Sequence, residues 1–461
     1  MTETKRRNSW LRETLSVSRK EAVASAAMTG ISDNYLGAFA IFLRASLPQM
    51  GMLAALPQLA GAAFQLLSVW LCSHFHRRQA IVSGVALQAT SVLGMALVAL
   101  VRPEHGVAWL IGLAVVYHAC ANFVQPQWRS WMGSIVPPRR RGAFFAGRTR
   151  LTMITSFTVF ACGGALLGWF ERFELAWLGF FLLLLLAAVG RGLSAWQLHL
   201  MHDPDQQQLQ GGSSFVDTLG RVRESFHHRA FREYSLFFAV MQGAVGISGP
   251  FFSVYMLNDL GYSYWQFTCN IGISILTQFF TLSTWGYICD RWGNRLVMVT
   301  SCCMLPVLPA LWLFSDDYYY LLGVQVVSGL AWGGFTLSTS NYLYDLRPTR
   351  ADFASYAAVQ SALSAVGVFF GALLGGYLAS ALPALMALLP EAWRLEHSVV
   401  LIFATSSLFR VGIAAWFIPR SVELRVRHRP DLLHVVYRVA RFTPGAGIVL
   451  DWLTVTRKSR R

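Results

Sequence analysis

Two titratable residues lie inside long apolar segments, where ionisable side chains are rare. Asp33 is near the middle of the apolar segment 22–43, and His118 lies within the segment 107–131. In a segment that crosses a bilayer, a charged group costs about 2.5–3.5 kcal/mol on insertion scales, which calls for a functional reason. Burial favours the neutral form of a titratable group and hydration favours the charged form. A group that alternates between the two environments can bind and release a proton, so both residues are candidate proton-coupling sites.

The neighbours of Asp33 indicate which way it faces. Gly30 and Gly37 recur with Asp33 at helical spacing and form a narrow face of small and polar residues. Such a face suits the interior of a helix bundle, because small residues let a second helix approach closely. The alternative is that Asp33 is a packing carboxylate whose hydrogen bonds are satisfied by a neighbouring segment.

A second polar face follows from the spacing around His118. His118, Asn122, Gln125 and Arg129 stand at i, i+4, i+7 and i+11, on one side of a helix. Lipid offers no hydrogen-bond partners, so these side chains must meet water, a ligand or protein. We predict that this face lines a polar cavity, with Asn122 and Gln125 as substrate-binding candidates. Arg129 is assigned a structural or gating role.

Polar side chains recur in other apolar segments as well. The further substrate-binding candidates are Asn34, Gln242, Trp332, Ser338, Asn341 and Gln360. Glycine-rich faces beside several of them are equally consistent with tight helix contacts.

The composition identifies the class of protein that positions these residues. The chain has 461 residues, of which 55% are hydrophobic and only 13% are charged, and its mean hydropathy is +0.45. These values exclude a soluble enzyme, a disordered chain and a secreted disulfide scaffold. The seven cysteines lack metal-ligand spacing, and the net charge of +15 does not form a nucleic-acid patch. We therefore predict an integral membrane protein with no metal, no cofactor and no nucleic-acid partner.

Twelve apolar segments of roughly 18–26 residues are each long enough to cross a hydrocarbon core of ~30 Å. They lie near 22–43, 50–72, 80–101, 107–131, 151–170, 175–199, 233–257, 264–285, 296–314, 320–344, 353–378 and 398–418. The predicted organisation is an N-terminal arm 1–21, a six-helix bundle 22–199, a central linker 200–232, a second six-helix bundle 233–418 and a basic tail 419–461.

The distribution of Lys and Arg predicts the orientation. With these spans, 31 basic residues fall on one face of the membrane and four on the other. The positive-inside rule then places both termini and the central linker in the cytoplasm. A bacterial cytoplasmic (inner) membrane is the predicted location, and the basic tail is expected to lie on anionic lipid.

The two halves of the sequence resemble each other. WMGSIVPPRRRGAFFAGR and YLYDLRPTRADFASYAAV align with Pro137 and Pro348 in register. The sixth and twelfth segments share a Gly-x3-Trp pattern beside Arg191 and Arg410. This repeated position predicts a shared structural task for the two arginines, such as bonding carbonyl groups. A parallel duplication of six spans is typical of one transporter architecture.

The segment GYICDRWGNR between the eighth and ninth spans resembles the cytoplasmic signature GxxxDRxGRR of the major facilitator superfamily. The equivalent first-half segment, SHFHRRQAI, is degenerate, and Ser73 replaces the acid. The resemblance implies an all-α fold of twelve transmembrane helices in two pseudo-symmetric six-helix bundles, with a cavity lined by the first, fourth, seventh and tenth helices. It also implies a gating role for the signature, in which Gly286 is expected to permit close helix approach. The gating candidates are Gly286, Asp290, Arg291, Gly293, Arg295, Arg129 and Asp345.

These observations predict secondary active transport of a small solute by alternating access. No GxxxxGK[ST] motif for ATP is present, and proton coupling through Asp33 and His118 is favoured. We expect export, with proton-coupled uptake of a sugar or similar nutrient as the alternative. The alternatives from other functional classes are a polytopic membrane transferase and a non-transporting sensor. The expected partners are the solute, protons and the lipid bilayer, and the expected state is a monomer.

Overall fold

The structure, a computed structural model, describes residues 3–71, 76–136, 141–201, 227–346, 353–387 and 398–421. Every regular element in these ranges is helical, which confirms the predicted all-α fold. Helices α1 to α6 span Glu3–Phe42, Leu47–Leu71, Arg77–Val101, Gly106–Ile135, Arg141–Glu171 and Ala176–Leu200. Helices α7 to α13 span Arg229–Val254, Tyr264–Trp292, Asn294–Met304, Val307–Leu311, Tyr318–Leu346, Phe353–Ala387 and Val400–Phe417. A π-helical segment, Tyr255–Asp259, continues α7, and a 3-10 turn, Ile418–Arg420, follows α13.

The helix lengths agree with a polytopic membrane protein. Within the described ranges, nine segments are long and apolar enough to cross a membrane, and Asn294–Leu311, which joins α9 and α10, is one of them. Helices α1, α2 and α8 have 40, 25 and 29 residues and also exceed the length needed for a ~30 Å core. The protein is therefore a multi-pass helical membrane protein.

Helix α1 begins much earlier than the first predicted span. The span was expected to start at residue 22, but the helix starts at Glu3. The sequence contains neither Gly nor Pro before Gly30, so nothing in the polar arm breaks the helix. As a consequence Glu21 and Asp33 lie on one helix, twelve residues and about 18 Å apart along its axis.

The ninth predicted span is broken where two prolines follow one another closely. Helix α9 ends at Met304, and α10 begins after Pro306. Pro309 has no N–H, so the carbonyl of Leu305 lacks its helical donor four residues on. The Nη1 atom of Arg410 donates to that carbonyl at 3.1 Å. The structural task predicted for Arg410 is confirmed.

The chain divides into two compact units. The first comprises Met1–Glu224, Phe238–Cys269 and Ala358–Ile402. The second comprises Ser225–Phe237, Asn270–Ala357 and Phe403–Arg461. The boundaries derived from the sequence repeat stay a prediction.

Glycines set the closest helix contacts of the first unit. A Cβ atom on Gly30 of α1 would lie 2.5 Å from the carbonyl oxygen of Ser156 on α5. A Cβ atom on Gly371 of α12 would overlap the carbonyl oxygen of Gly243 on α7. Real side chains do not tolerate such separations, so these two helix pairs pack backbone against backbone. The predicted close approach at Gly30 is confirmed.

Hydrogen bonds also join segments from both halves of the sequence within the first unit. The Tyr35 hydroxyl donates to the carbonyl oxygen of Phe160 at 2.6 Å and lies 3.0 Å from Thr268 Oγ1. The carboxylate of Glu171 accepts from the backbone N–H of Tyr264 at 3.0 Å. These contacts tie the ends of α1 and α5 to the start of α8.

Candidate functional site

A cavity of about 420 Å³ lies in the first unit among helices α1, α3, α4, α5 and α6. Its acidic and basic lining residues are Glu21, Asp33, His118, Arg129, Arg148 and Arg191. Asp33 faces the bundle interior, as predicted, and three residues of the predicted α4 face, His118, Gln125 and Arg129, line the polar cavity.

Asp33 is held by a tyrosine that the sequence patterns did not single out. The hydroxyl of Tyr117 donates to Asp33 Oδ1 at 2.8 Å. Tyr117 itself is buried, whereas Asp33 remains accessible from the cavity. The carboxylate is therefore fixed by protein on one side and can exchange protons with cavity water on the other.

His118 sits beside this pair. Its ring packs edge-on against the ring of Tyr117, with the centroids 5.0 Å apart. His118 is half-buried and lines the cavity, and its imidazole makes no hydrogen bond to another residue that the structure describes. Asp33 and His118, the two proposed titratable groups, thus flank one tyrosine.

Arg191 of α6 enters the same cavity and is more than nine-tenths buried. Its Nε donates to Gln88 Oε1 at 2.8 Å, while Nη1 donates to Ser25 Oγ at 2.8 Å and to Ser194 Oγ at 3.2 Å. Every one of these acceptors is a neutral side-chain oxygen. Arg410 bonds a backbone carbonyl, as the predicted structural task allows, whereas Arg191 bonds side chains of α1, α3 and α6 and also lines the cavity.

A buried ion pair closes another part of the cavity wall. Arg148 of α5 donates to Glu21 of α1 at 2.5 Å, and the Glu21 side chain is only 4% exposed. The guanidinium of Arg148 also lies over the ring of Trp128, 4.1 Å from its centroid. Ser194 donates to Glu21 at 3.1 Å, so one hydroxyl links the ion pair to Arg191.

The predicted polar face of α4 is divided. His118, Gln125 and Arg129 line the cavity. The amide of Asn122 instead donates to the carbonyl of His118 at 2.9 Å and packs against Gly61 of α2. Asn122 therefore serves a helix contact in this structure.

The other predicted substrate-binding residues do not line this cavity. Asn34 donates to the carbonyl of Gly30 at 2.9 Å, within its own helix. Gln242 and Gln360 belong to the first unit, while Trp332, Ser338 and Asn341 belong to the second. The Ser338 hydroxyl is buried and bonds the carbonyl of Phe335. A substrate role for these residues stays a prediction.

The segment GYICDRWGNR, which resembles the family signature, ends in a turn between α8 and α9. Gly293 has φ of 93°, a conformation that favours glycine, and it separates α8 from α9. Asn294 then donates to Asp345 of α11 at 2.6 Å. Arg295 donates to the backbone and hydroxyl oxygens of Ser421 at 2.8 and 3.0 Å. This hydrogen-bonded turn therefore involves three of the gating candidates, Gly293, Arg295 and Asp345.

The remaining signature residues behave differently. Arg291 donates to the hydroxyl of Tyr287 at 2.6 Å and stacks near Trp292. Asp290 is exposed and makes no hydrogen bond or ion pair with the described part of the chain. A Cβ atom on Gly286 would meet only Leu337, at 3.9 Å, so the close approach expected there is not found.

Sequence reasoning missed several residues of the cavity. Tyr117, Gln88, Ser25 and Trp128 are neutral, so no charge at membrane depth drew attention to them. Glu21 was assigned to the polar arm, although its spacing of twelve residues from Asp33 is a usable signal. Among the described residues, no three His, Cys, Asp or Glu side chains form a group that could hold a metal ion.

Comparison with known proteins supplies the wider context. The profile described as Major Facilitator Superfamily matches residues 22–269 and 234–454, which together cover most of the chain. A search of curated protein sequences found no match.

Solved structures share the fold at low sequence identity. The crystal structure of the nucleoside transporter NupG is similar, with a TM-score of 0.68 and 13% identity over 89% of this chain and 98% of that one. A bacterial homolog of the human lysosomal transporter Spinster, inward-facing and occupied, has a TM-score of 0.66 and 13% identity over 94% and 100% of the two chains. A bacterial homologue of the iron transporter ferroportin, inward-facing, has a TM-score of 0.64 and 15% identity over 88% and 98%.

Proposed function

The chain belongs to the major facilitator superfamily, and from that premise we propose that it is a secondary active transporter that couples a small solute to protons through Asp33 and His118. The family and the solved neighbours indicate a transporter and not an enzyme. The observation that carries the proton coupling is the Asp33–Tyr117 hydrogen bond at the edge of a polar cavity.

The geometry suits a carboxyl group that gains and loses a proton during each cycle. Cavity water stabilises the charged form of Asp33, and closure of the cavity removes that water and favours the neutral form. Tyr117 holds the carboxyl group in one place in both states, because a hydroxyl can donate to either oxygen. His118, on the other side of the same ring, supports proton transfer between Asp33 and the cavity.

The sign of the coupling sets the direction of transport. A solute that competes with the proton for Asp33 is exported by antiport, as the sequence led us to expect. A solute that binds best when Asp33 is protonated is taken up by symport. One observation favours this second candidate: Arg191 presents a positive charge to the cavity without a carboxylate partner.

The setting of this activity is part of the proposal. We place the protein in a bacterial cytoplasmic (inner) membrane as a monomer, with both termini in the cytoplasm. The gating candidates Asp290, Arg291 and Arg295 then lie at the cytoplasmic surface. Protons, the solute and lipid are its partners.

The test uses the purified protein in liposomes with an imposed pH gradient and a panel of radiolabelled sugars, organic acids and amines. The wild type should move at least one solute against its concentration gradient. Asp33→Asn should abolish that accumulation, and exchange of solute without a gradient should survive.

The matched variant His118→Ala separates the two titratable groups. If Asp33→Asn still accumulates the solute with a normal pH dependence while His118→Ala does not, coupling belongs to His118 and Asp33 is a packing residue. Accumulation that ignores the pH gradient in the wild type would remove proton coupling altogether.

A further inference from the structure

The guanidinium of Arg191 is built into the cavity with part of its bonding capacity unused. Its five N–H donors comprise one on Nε and two on each terminal nitrogen. The donor on Nε is taken by Gln88, and those on Nη1 by Ser25 and Ser194. The two donors on Nη2 make no hydrogen bond with any described residue, and Arg191 lines the cavity. A ligand can therefore receive two N–H bonds from a side chain that is already immobilised.

The charge of Arg191 is also unmatched by any direct contact. The buried carboxylate nearest in the network, Glu21, is engaged by Arg148 at 2.5 Å and reaches Arg191 only through Ser194. A buried charge that is held by neutral oxygens alone is expensive unless an opposite charge joins it. The arrangement fits a preorganised anion site, in which one nitrogen of an immobilised guanidinium, Nη2, offers its N–H groups to the oxygens of an anion.

From this geometry we propose that the cavity binds a small organic carboxylate at the Nη2 edge of Arg191, and that the anion binds together with a proton on Asp33. The proposal rests on proton coupling at Asp33 and specifies both the substrate class and the sign of coupling. It selects uptake by symport over export.

The lining of the cavity combines positive charge with apolar surface, which suits an organic carboxylate. Arg129, Arg148 and Arg191 outnumber the acids Glu21 and Asp33 in this lining. Trp128 and Val124 add apolar surface to this lining. A volume of about 420 Å³ accepts a metabolite-sized ligand with one charged end and one less polar end.

The coupling follows from the charges that face Asp33. The titratable and charged groups that line the cavity with Asp33 are Tyr117, His118 and Arg129 from α4, Arg191 from α6, Arg148 from α5 and Glu21 from α1 itself. Helix α2 carries no ionisable side chain, and Tyr255 and Asp259, on the segment that also touches α1, do not line the cavity.

With the Glu21–Arg148 pair balanced, Arg191 and Arg129 are the remaining cations of the lining, and an ionised Asp33 offsets one of their two positive charges. Protonation of Asp33 removes that offset and leaves the positive charge of Arg191 available to an anion. Anion binding and protonation therefore strengthen each other, as linkage requires. A coupling of about tenfold in affinity lies within the range usual for linked sites.

The test measures ligand-induced thermal stabilisation and calorimetric affinity for the full-length protein in detergent at pH 5.5 and pH 7.5. The probes are gluconate, lactate and benzoate, each paired with its uncharged analogue, glucose, lactamide and benzamide. Inorganic phosphate and choline test the other charge classes. At least one carboxylate should bind, about tenfold more tightly at the lower pH, and its uncharged analogue should not.

Three variants assign the effect to residues. Asp33→Asn should bind the carboxylate at pH 7.5 as tightly as the wild type does at pH 5.5, with no remaining pH dependence. Arg191→Gln should lose binding, and Arg191→Lys, which keeps the charge without the planar guanidinium, serves if the first variant does not fold. Arg410→Lys is the matched control at the repeat-related position and should bind as the wild type does.

Several outcomes overturn the proposal. Binding of choline or of the uncharged analogues alone shows that the cavity is not an anion site. Tighter binding of the carboxylate at pH 7.5 shows that the solute competes with the proton. If phosphate binds and none of the carboxylates does, the substrate class is phosphate and not carboxylate. Unchanged or weaker carboxylate binding in Asp33→Asn breaks the link between the two groups.

Failure of the carboxylate site can be distinguished from failure of the proposed function. If no carboxylate binds while another solute is still accumulated in a pH gradient through Asp33, the anion site is wrong and proton coupling stands. If carboxylates bind through Arg191 but no gradient drives their accumulation, the site stands and coupled transport is wrong.

Discussion

Removing the negative charge of Glu21 should destabilise the protein substantially, because it leaves the buried charge of Arg148 without its carboxylate partner. The side chains of Glu21 and Arg148 are only 4% and 16% exposed, so both charges are largely desolvated. Breaking one partner of a buried ion pair costs about 3–5 kcal/mol. The residual exposure of Arg148 and its contact with Trp128 reduce this value, since a cation over an aromatic ring retains about 1 kcal/mol. We expect Glu21→Gln to lower the free energy of unfolding by about 2–4 kcal/mol.

A double-mutant cycle isolates the interaction itself. Arg148→Gln alone should cost a similar amount, whereas the double variant should cost much less than the two singles combined. The expected coupling energy is about 2 kcal/mol, measured by reversible unfolding in mixed micelles. The exposed pair Arg229–Glu233, whose arginine is 82% exposed, is the matched control and should show no measurable coupling. Additive effects of Glu21→Gln and Arg148→Gln would refute the idea of a desolvated pair.

Three further predictions address packing and topology. Gly371→Ala should destabilise the protein by about 1–3 kcal/mol in the same unfolding assay, since the added Cβ meets the carbonyl of Gly243. Gly412→Ala, whose Cβ has nothing within 4 Å, is the control and should be neutral. Equal effects of the two substitutions would contradict the backbone contact. Arg410→Gln should cost about 1–3 kcal/mol by stranding the Leu305 carbonyl, and adding Pro309→Ala should recover part of it by restoring a helical N–H; no recovery would argue against this role. A reporter fused at residue 317 should signal from the external face, and a cytoplasmic signal there would break the predicted topology of the second half.

The sequence predicts most of the architecture because the membrane imposes it. Long apolar segments need few local signals to be recognised as spans, and the start of α1 was misjudged because the arm before residue 22 is polar although still helical. The break between α9 and α10 was missed because a proline inside an apolar segment does not lower its hydropathy enough to divide it.

The candidate site could be predicted only where a charge marks it. Asp33 and His118 stand out in apolar segments, and both line the cavity. Tyr117 does not stand out, because a tyrosine in a membrane helix is common and its bond to Asp33 joins residues 84 positions apart. Arg191 was visible, but its repeat-related partner Arg410 suggested a purely structural role. Side-chain direction, which decides between the two roles, is not contained in sequence spacing.

Proton movement that accompanies solute movement tests the central claim most directly. Protein is reconstituted into liposomes that enclose a pH-sensitive dye, with equal pH on both sides, and the tightest-binding carboxylate of the panel is added outside. Protein-free liposomes correct for diffusion of the free acid. The wild type should acidify the lumen as solute enters, and Asp33→Asn should admit solute, if at all, without acidification. Solute entry with no pH change in the wild type, or an identical pH change in Asp33→Asn, would contradict coupling through Asp33.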